Sequence, residues 1–435
     1  MSTSPAISVL MPTRNGSRYV AEAIRSILAQ DFDDFELLIS DDGSTDDTLS
    51  IIESFSDPRL SVICQNPRPG LFANHNHLLR HSKGQWIKYL HQDDVLLPGA
   101  LRTYADLTRC PVPPAFIAAR TNLIDENGVN MGAFPWCFGE DRVWGAGELT
   151  NLSLRLGNII GNPPSVFFRR SVLQDAPFNE DLKNSADWDV LLRLSSTHSV
   201  QSTAHVLVAY RVHSAAQSAI NQGNQTTAFE DLAILRKLSS PSSEASAGAM
   251  AGMWRQHLQI MTACLHFIRS GSPQQAAHLA SRLLDEDPFI DLYEGTSMRN
   301  DLLRLISSPD ECPLFRSSLY SILWHHQVPL SLDTFRLIRS RRHLKLTVIG
   351  YQSWTYLLQS LCLVNDASIA WVQDIYGNIA LPKLFGAPVS KEWLAIDTDA
   401  VVIVGASRID DFSIYRSLSN SLADKPVLRL RDWVL

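Results

Sequence analysis

The sequence predicts an α/β protein with a mainly parallel main sheet, followed by a helical region and a small Rossmann-like α/β unit. Three observations predict this fold class. Short apolar runs alternate with segments of helical periodicity over the first half of the chain, which is typical of parallel strands joined by crossover helices. The run Trp86–Leu90 has the composition of a strand buried on both faces. After residue 343 the alternation of apolar runs and helical segments begins again.

The length and composition limit the classes of protein that this chain can belong to. At 435 residues it is too long for one core, and we expect three domains, at 1–225, 226–342 and 343–435. The net charge of −7 argues against a nucleic-acid partner. The 6 scattered cysteines suit reduced thiols in the cytosol, and neither a signal peptide nor a membrane-spanning run is recognisable. We expect a cytoplasmic protein that lies, at most, against the inner face of a membrane.

The first strands and helices follow from periodicity. Strands are predicted at Ile7–Met11, Glu36–Ser40 and Leu60–Cys64. Helices are predicted from apolar residues at 20, 24, 27 and 28, from those at 49, 52 and 55, and over 74–81. Because the carboxyl ends of parallel strands share one edge of a sheet, the loops 12–16, 41–44 and 91–94 should meet there. Their polar residues suit a nucleotide.

The central stretch Trp86–Asp94 ends in two neighbouring carboxylates, Asp93 and Asp94. Carboxylates are hard oxygen ligands of the kind that Mg²⁺ and Mn²⁺ prefer, and such ions bind phosphate. The alternative is that one of the two only caps a helix beginning near Leu97. The stretch favours a ligand site over a helix cap.

Three motifs, in this order and at this spacing, resemble glycosyltransferase family 2. They are Ile-Ser-Val-Leu-Met-Pro-Thr-Arg-Asn-Gly at 7–16, Leu-Leu-Ile-Ser-Asp-Asp-Gly-Ser-Thr-Asp-Asp-Thr at 37–48, and Lys-Gly-Gln-Trp-Ile-Lys-Tyr-Leu-His-Gln-Asp-Asp at 83–94. The resemblance covers about residues 1–225. It implies the GT-A fold and the transfer of a sugar, with inversion, from a nucleotide-diphosphate donor.

The resemblance also implies a nucleotide site and a metal site. The donor nucleotide would be bound by Pro12, Thr13, Asn15, Asp41, Asp42, Asn76 and Gln92. A carboxylate suits a base imide or a ribose hydroxyl, although Asp41 and Asp42 also have the alternative of building the turn before the next helix. The family's Asp-x-Asp metal motif reads His-Gln-Asp here, so Asp93 is the chief expected ligand. His213 would assist it, and His91 would be a weak ligand.

The segment Ser185–Leu194 resembles the part of the family that carries the catalytic base. Asp187 matches that base, and the residue before it, acidic in the family, is Ala186 here. An inverting displacement needs one base to take the proton of the attacking hydroxyl. The alternative is that Asp187 only caps the helix that follows. Trp188 and Asp94 are expected on the acceptor side.

The second half of the chain shows no family resemblance. Apolar stripes predict packed helices over 226–342. Short buried strands are predicted at Leu346–Ile349, Ser368–Val372, Ala400–Val404 and Val427–Leu430, in a Rossmann-like arrangement. The turn after the first of these strands lacks the Gly-x-Gly-x-x-Gly pattern, which favours an assembly role over cofactor binding.

Together these observations predict an inverting glycosyltransferase of surface polysaccharide synthesis that requires Mg²⁺ or Mn²⁺. The expected donor is a UDP-sugar, with dTDP- and GDP-sugars as alternatives. The expected acceptor is a saccharide or a lipid-linked saccharide. A catalytically weak scaffold is the main alternative, because His91 and Ala186 stand at positions that are acidic in the family. A nucleotidyltransferase is a third, against which the run Asp187-Trp188-Asp189 counts.

Overall fold

The structure is a computed structural model of two compact units. One unit comprises residues 1–230 and 237–248, and the other comprises 231–236 and 249–435. The structure describes residues 4–64, 70–133, 141–213, 225–238, 270–287 and 298–307, and short runs of one to three helical residues between 249 and 268. Beyond residue 344 it describes the strands 345–349, 368–373, 383–384, 387–390, 401–404 and 427–429, by their backbone.

A ten-stranded mixed sheet organises the first unit. Its strands are β1 (Ile7–Thr13), β2 (Phe35–Asp41), β3 (Leu60–Cys64), β4 (Trp86–Tyr89), β5 (Val95–Leu96), β6 (Phe116–Ile124), β7 (Asn130–Ala133), β8 (Arg142–Trp144), β9 (Val166–Arg169) and β10 (Val200–Arg211). The order is β3-β2-β1-β4-β9-β6-β10-β5, with β7 on β6 and β8 on β10. Strands β3, β2, β1 and β4 are parallel to their neighbours in that run, whereas β9 is antiparallel to both β4 and β6.

Helices cover both faces of this sheet. They are α1 (Val20–Leu28), α2 (Thr48–Glu53), α3 (Leu71–His81), α4 (Ala100–Leu107), α5 (Glu148–Leu156), α6 (Arg170–Asp175) and α7 (Ala186–Thr197). Strand β1 alternates between two apolar clusters: Val9 and Met11 pack with α1, α2 and α4, and Leu10 packs with α3, α5, α6 and α7. A sheet buried on both faces requires continuous apolar strands, which is why these runs were recognisable in the sequence. The predicted α/β class with a mixed, mainly parallel sheet is confirmed.

The chain after Asp94 does not begin the helix that the capping alternative requires. It forms the short strand β5, which pairs antiparallel with β10, and α4 begins only at Ala100 after Gly99. Gly99 has φ +76°, a left-handed conformation that glycine adopts without strain. Asp94 therefore caps no helix, and its burial needs another explanation.

Three further helices are bounded in the described residues: α8 (Thr226–Leu238), α9 (Pro273–Glu286) and α10 (Met298–Ser307). The predicted apolar stripe of α9 is buried at Ala276, Leu279, Ala280 and Leu283. Among the helices of the described ranges, none combines the length and apolar composition needed to cross a bilayer.

A second sheet lies in the last part of the chain. Its strands are β11 (Lys345–Ile349), β12 (Ser368–Gln373), β13 (Lys383–Leu384), β14 (Ala387–Ser390), β15 (Val401–Val404) and β16 (Val427–Arg429). The order is β13-β14-β12-β11-β15-β16, parallel except for β13 on β14. The first strand lies at the centre, as in doubly wound sheets. The four strands predicted for this region are found. Strands β13 and β14 were not predicted, and they are only two and four residues long. The predicted connecting helices lie outside the described residues, and the domain boundaries at 225 and 342 stay predictions.

Candidate functional site

Three loops meet at the carboxyl ends of β1, β2 and β4, as the sequence predicts. The Thr13 hydroxyl donates to Asp41 Oδ1 over 3.3 Å. The backbone N–H of Asn15 donates to the Ser44 hydroxyl over 2.8 Å, and the N–H of Thr45 donates to Asn15 Oδ1 over 2.8 Å. Asn15 has φ 48°, a left-handed conformation that asparagine tolerates better than most residues. The first two loops are therefore fixed to each other by the side chains predicted to bind a nucleotide.

Gln92 joins the third loop to the first. Its Oε1 accepts from the backbone N–H of Arg14 and its Nε2 donates to the carbonyl oxygen of Arg14, each over 2.8 Å. A Cβ atom at Gly16 would overlap Gln92 Oε1, so a glycine is needed for this side chain to keep its place. Gln92 holds the crevice together, and its predicted contact with a nucleotide stays a prediction.

Asp41 and Asp42 lie at the end of β2 and are 3% and 4% exposed. Asp41 accepts from the backbone N–H of Ser44 at Oδ2 and from the Ser44 hydroxyl at Oδ1, over 2.8 and 2.5 Å. The guanidinium of Arg14 approaches Asp42 Oδ2 to 3.9 Å. Pro12 is buried within β1 beside these loops. The turn alternative is thus realised at Asp41, and its predicted contact with a nucleotide stays a prediction.

His91, Asp93 and Asp94 form a cluster that could hold a metal ion. Each offers one ligating atom, and these atoms lie within 4.8 Å of one another. Asp94 is completely buried, and its Oδ1 accepts from the backbone N–H of Arg211 over 3.0 Å. Its Oδ2 is buried and has no hydrogen-bond partner among the described residues. Buried polar atoms are rarely left in this state, and a bound cation would satisfy this one.

His213 lies beside this cluster. Its Nε2 is 3.0 Å from Asp93 Oδ2, and its ring lies 5.2 Å from the ring of Tyr19. The contact joins residues 120 positions apart in the chain. The structure thus brings His213 to the predicted metal motif, while its role as a ligand stays a prediction.

Burial disfavours the charged forms of the ionisable side chains in and beside this cluster. It raises the pKa of Asp94 well above the usual value, and the charge of Asp93 adds to that shift. Burial also lowers the pKa of Lys88 on β4 to about 7, against the opposing effect of Asp94. The pKa of His91 is lowered, first by burial. A divalent cation would offset the repulsion between the two carboxylates, and carboxylate oxygens with one imidazole nitrogen suit Mn²⁺ well.

Arg211 fixes the backbone of the cluster and was not identified from the sequence. Its side chain is 1% exposed, and Nε donates to the carbonyl oxygen of Asp93 over 2.9 Å. Nη1 donates to the carbonyl oxygen of Asp125 over 3.1 Å, and Nη2 donates to Glu22 Oε2 over 2.7 Å. Arginine is usually exposed, so nothing in the sequence signalled its burial.

Two predicted residues are used elsewhere. Asn76 donates to the carbonyl oxygen of Phe178 and to Glu180 Oε1, and accepts from the N–H of Phe178, over 2.8, 2.9 and 3.1 Å. Its amide holds the loop 178–180, and nucleotide binding by it finds no support.

Trp188 is 1% exposed, with its indole N–H donating to Ser153 Oγ over 2.8 Å. A ring buried in this way offers no face to a sugar, so its acceptor-side role finds no support. Asp94 belongs to the metal cluster by its contacts.

Asp187 lies in the first turn of α7 and is half-buried. Its Oδ1 accepts from the backbone N–H of Trp188 over 2.7 Å. A carboxylate at the start of a helix is stabilised in its charged form by the helix dipole. This position suits a carboxylate, which is the form that can accept a proton.

Glu230 on α8 fixes the segment that leads into α7. Its carboxylate accepts from the backbone N–H groups of Lys183, Asn184 and Ser185, over 2.7, 2.9 and 2.8 Å. The side chain of Asn184 also donates to the Thr227 hydroxyl over 2.8 Å. Three consecutive N–H groups on one carboxylate set the path of the chain before Asp187. Glu230 lies beyond the family resemblance, so the sequence did not point to it.

A family model and several related sequences match the first part of the chain. The model of Glycosyl transferase family 2 matches residues 8–174. An uncharacterized protein of Mycobacterium tuberculosis is 31% identical over 283 residues, which are 63% of this chain and 88% of that protein. Chondroitin synthase of Escherichia coli is 30% identical over 194 residues, which are 44% of this chain and 26% of the synthase.

A structural comparison supports the same fold. TarS 1–349 of S. aureus, solved in complex with UDP-GlcNAc, matches with a TM-score of 0.51 and 18% identity, covering 74% of this chain and 91% of that one. Likeness at this identity establishes the GT-A-like fold, and the loops and the acidic cluster occupy its sheet edge. The chain belongs to glycosyltransferase family 2, and it is a glycosyltransferase.

Proposed function

We propose that this glycosyltransferase moves a sugar, with inversion, from a nucleoside-diphosphate donor to a hydroxyl group of a saccharide or lipid-linked saccharide. The observation that carries the proposal is the convergence of the three loops on the cluster of His91, Asp93 and Asp94. The likeness to chondroitin synthase supports polysaccharide assembly as the setting. A cytoplasmic location, at most against the inner face of a membrane, is part of the same proposal.

The nucleoside of the donor would lie against the first two loops. Thr13, Asn15 and Asp41 are already fixed there by mutual hydrogen bonds, so binding requires little reorganisation. Asp41 Oδ2 has a second lone pair for a ring N–H of the base, which uracil, thymine and guanine all carry. Uridine is the first nucleoside to test, and Asp42 is expected near the ribose.

Asp93, Asp94 and His91 would hold a divalent metal, Mn²⁺ or Mg²⁺, close to the diphosphate. The bound ion would neutralise the charge that builds up on the leaving diphosphate. The orphaned Asp94 Oδ2 and the repulsion between the two carboxylates both support this assignment. His213, 3.0 Å from Asp93, would orient that carboxylate or contact the diphosphate.

Asp187 would act as the base. Its carboxylate would take the proton from the acceptor hydroxyl while the oxygen attacks the anomeric carbon, and the donor diphosphate would leave from the opposite face. The N-terminus of α7 would stabilise the charged form of Asp187. Arg211 holds the backbone of the cluster, and Glu230 holds the segment before α7.

Donor turnover tests this proposal. The full chain is incubated with UDP-, dTDP- and GDP-sugars and Mn²⁺, with and without saccharide acceptors, and released nucleoside diphosphate is measured. We expect one donor to release nucleoside diphosphate in a metal-dependent and acceptor-stimulated reaction. Binding without turnover would favour a scaffold, and pyrophosphate release from a nucleoside triphosphate would favour a nucleotidyltransferase. Either result would contradict the proposal.

Glu230→Gln tests the bracing of the catalytic segment. A glutamine keeps the shape but replaces one acceptor oxygen by an amide donor, so at least one of the three N–H bonds is lost. We expect kcat to fall by about 10-fold to 100-fold with little change in donor KM, because a small displacement of a base weakens catalysis more than binding. The matched control is Glu286→Gln on α9, whose carboxylate contacts Arg282. Equal kcat values in both variants would contradict the bracing role.

A further inference from the structure

His75 on α3 lies directly behind His91. It is completely buried, and its Nε2 is 3.1 Å from Nε2 of His91, with the two rings at 88° to each other. Its other nitrogen, Nδ1, is 2.7 Å from the carbonyl oxygen of Leu71. Both ring nitrogens of His75 are therefore engaged, one with the helix backbone and one with the metal cluster.

The proton positions follow from these two contacts. A carbonyl oxygen only accepts, so Nδ1 of His75 carries a proton and donates to Leu71. The rest of the ring lies against Phe72, Tyr89 and Phe178, and none of the described residues gives it a carboxylate partner. Such a buried ring is neutral, since burial disfavours the charged form. Its Nε2 is then an acceptor, and the proton between the two rings belongs to Nε2 of His91.

This arrangement leaves His91 with one lone pair, on Nδ1. A neutral imidazole protonated at Nε2 binds a metal through Nδ1 alone. Histidine ligands commonly donate their second N–H to an acceptor that fixes the tautomer, and that acceptor is usually a carboxylate, a carbonyl group or water. Here it is a second imidazole whose own tautomer is fixed by a helix carbonyl.

We propose that His75 is a positioning residue that holds His91 as a nitrogen ligand of a divalent cation, with Nδ1 directed to the ion. The inference rests on the cation site in the proposed function. It makes the site a ligand set of two carboxylates and one imidazole. That set favours Mn²⁺ or Co²⁺ over Mg²⁺, because imidazole is a softer ligand than carboxylate.

Two substitutions separate the contacts of His75. In His75→Asn the amide reaches about as far as Nδ1 and loses the contact with His91. In His75→Gln the amide oxygen reaches about as far as Nε2 and can still accept from His91. His81→Asn, at the exposed end of the same helix, is the matched control.

Electron paramagnetic resonance of the full chain with Mn²⁺ and UDP gives two readouts without turnover. The free Mn²⁺ signal measures affinity, and spin-echo modulation from ¹⁴N reports a coordinated imidazole. We expect His75→Asn to weaken Mn²⁺ binding by about 10-fold to 100-fold and to reduce the ¹⁴N modulation. His75→Gln and His81→Asn should stay within about 3-fold of wild type, because glutamine keeps an acceptor for His91 and His81 lies at the exposed end of the helix.

A double-mutant cycle distinguishes this role from a structural one. His91→Ala should weaken Mn²⁺ binding and remove the ¹⁴N modulation, and adding His75→Asn should have no further effect. Additive losses in the double variant would overturn the inference. So would a wild-type complex that binds Mn²⁺ without ¹⁴N modulation, although the cation site itself would then stand. A wild-type protein that binds no Mn²⁺ with UDP would overturn the cation site and this inference together.

Discussion

Asp187→Asn is expected to lower kcat by about 10²-fold to 10⁴-fold, the range that a positioned general base contributes. Asparagine has nearly the same shape as aspartate but cannot take the proton of the acceptor hydroxyl. The backbone of α7 should be unchanged, because an amide oxygen can still accept from the N–H of Trp188. The measurement is the rate of nucleoside-diphosphate release with donor and acceptor both saturating.

Asp189→Asn is the matched control for this prediction. Asp189 lies on the same helix, and its carboxylate contacts Arg193 at 2.9 Å, four residues further on. Its loss should leave kcat within a few-fold of wild type, since a helix ion pair of this kind contributes only tenths of a kcal/mol. If both variants keep wild-type turnover while nucleotide binding is intact, Asp187 is not the base and only the helix-start role remains.

Asp93→Asn is expected to abolish the metal-dependent stabilisation of the protein by UDP. A ligand present at 100 times its dissociation constant stabilises the native state by about 2.7 kcal/mol. Asp93 is the more exposed of the two carboxylates in the proposed metal site, and removing its charge should remove that gain. The measurement is the rise of Tm with UDP and Mn²⁺, compared with UDP and EDTA.

Asp106→Asn serves as the control for Asp93. Asp106 lies on α4 and pairs with Arg109 at the surface, so its variant should show the full Tm rise. A wild-type Tm rise that persists unchanged in EDTA would contradict metal dependence. A full rise in Asp93→Asn that still requires Mn²⁺ would instead show that another carboxylate holds the ion.

The sequence predicts β1, β2 and β4 well because these strands are buried on both faces. Their side chains must be apolar at nearly every position, and that composition is visible without knowing the partners. The loops that follow β1, β2 and β4 were predictable for a related reason, since parallel strands bring their carboxyl ends to one edge. Antiparallel strands such as β5 and β8 are only two or three residues long, and no local pattern identifies them.

The roles of several side chains were decided only by contacts between distant parts of the chain. Asn76 carries a polar group suited to a nucleotide, yet the loop 178–180 takes its hydrogen bonds. Trp188 has the ring expected near a sugar, yet α7 turns it into the core. Glu230 lies 43 residues after Asp187, and its three N–H partners become neighbours only in the folded chain.

By itself, the sequence determined the family and the α/β class, because motif spacing and local composition identify both. It also singled out the stretch Trp86–Asp94 as the centre of the candidate site. The tertiary structure decided what surrounds that stretch. It placed His213 against Asp93, Arg211 beneath the cluster and His75 behind His91. These contacts join residues 16 to 120 positions apart, and chain folding alone determines which of them are made.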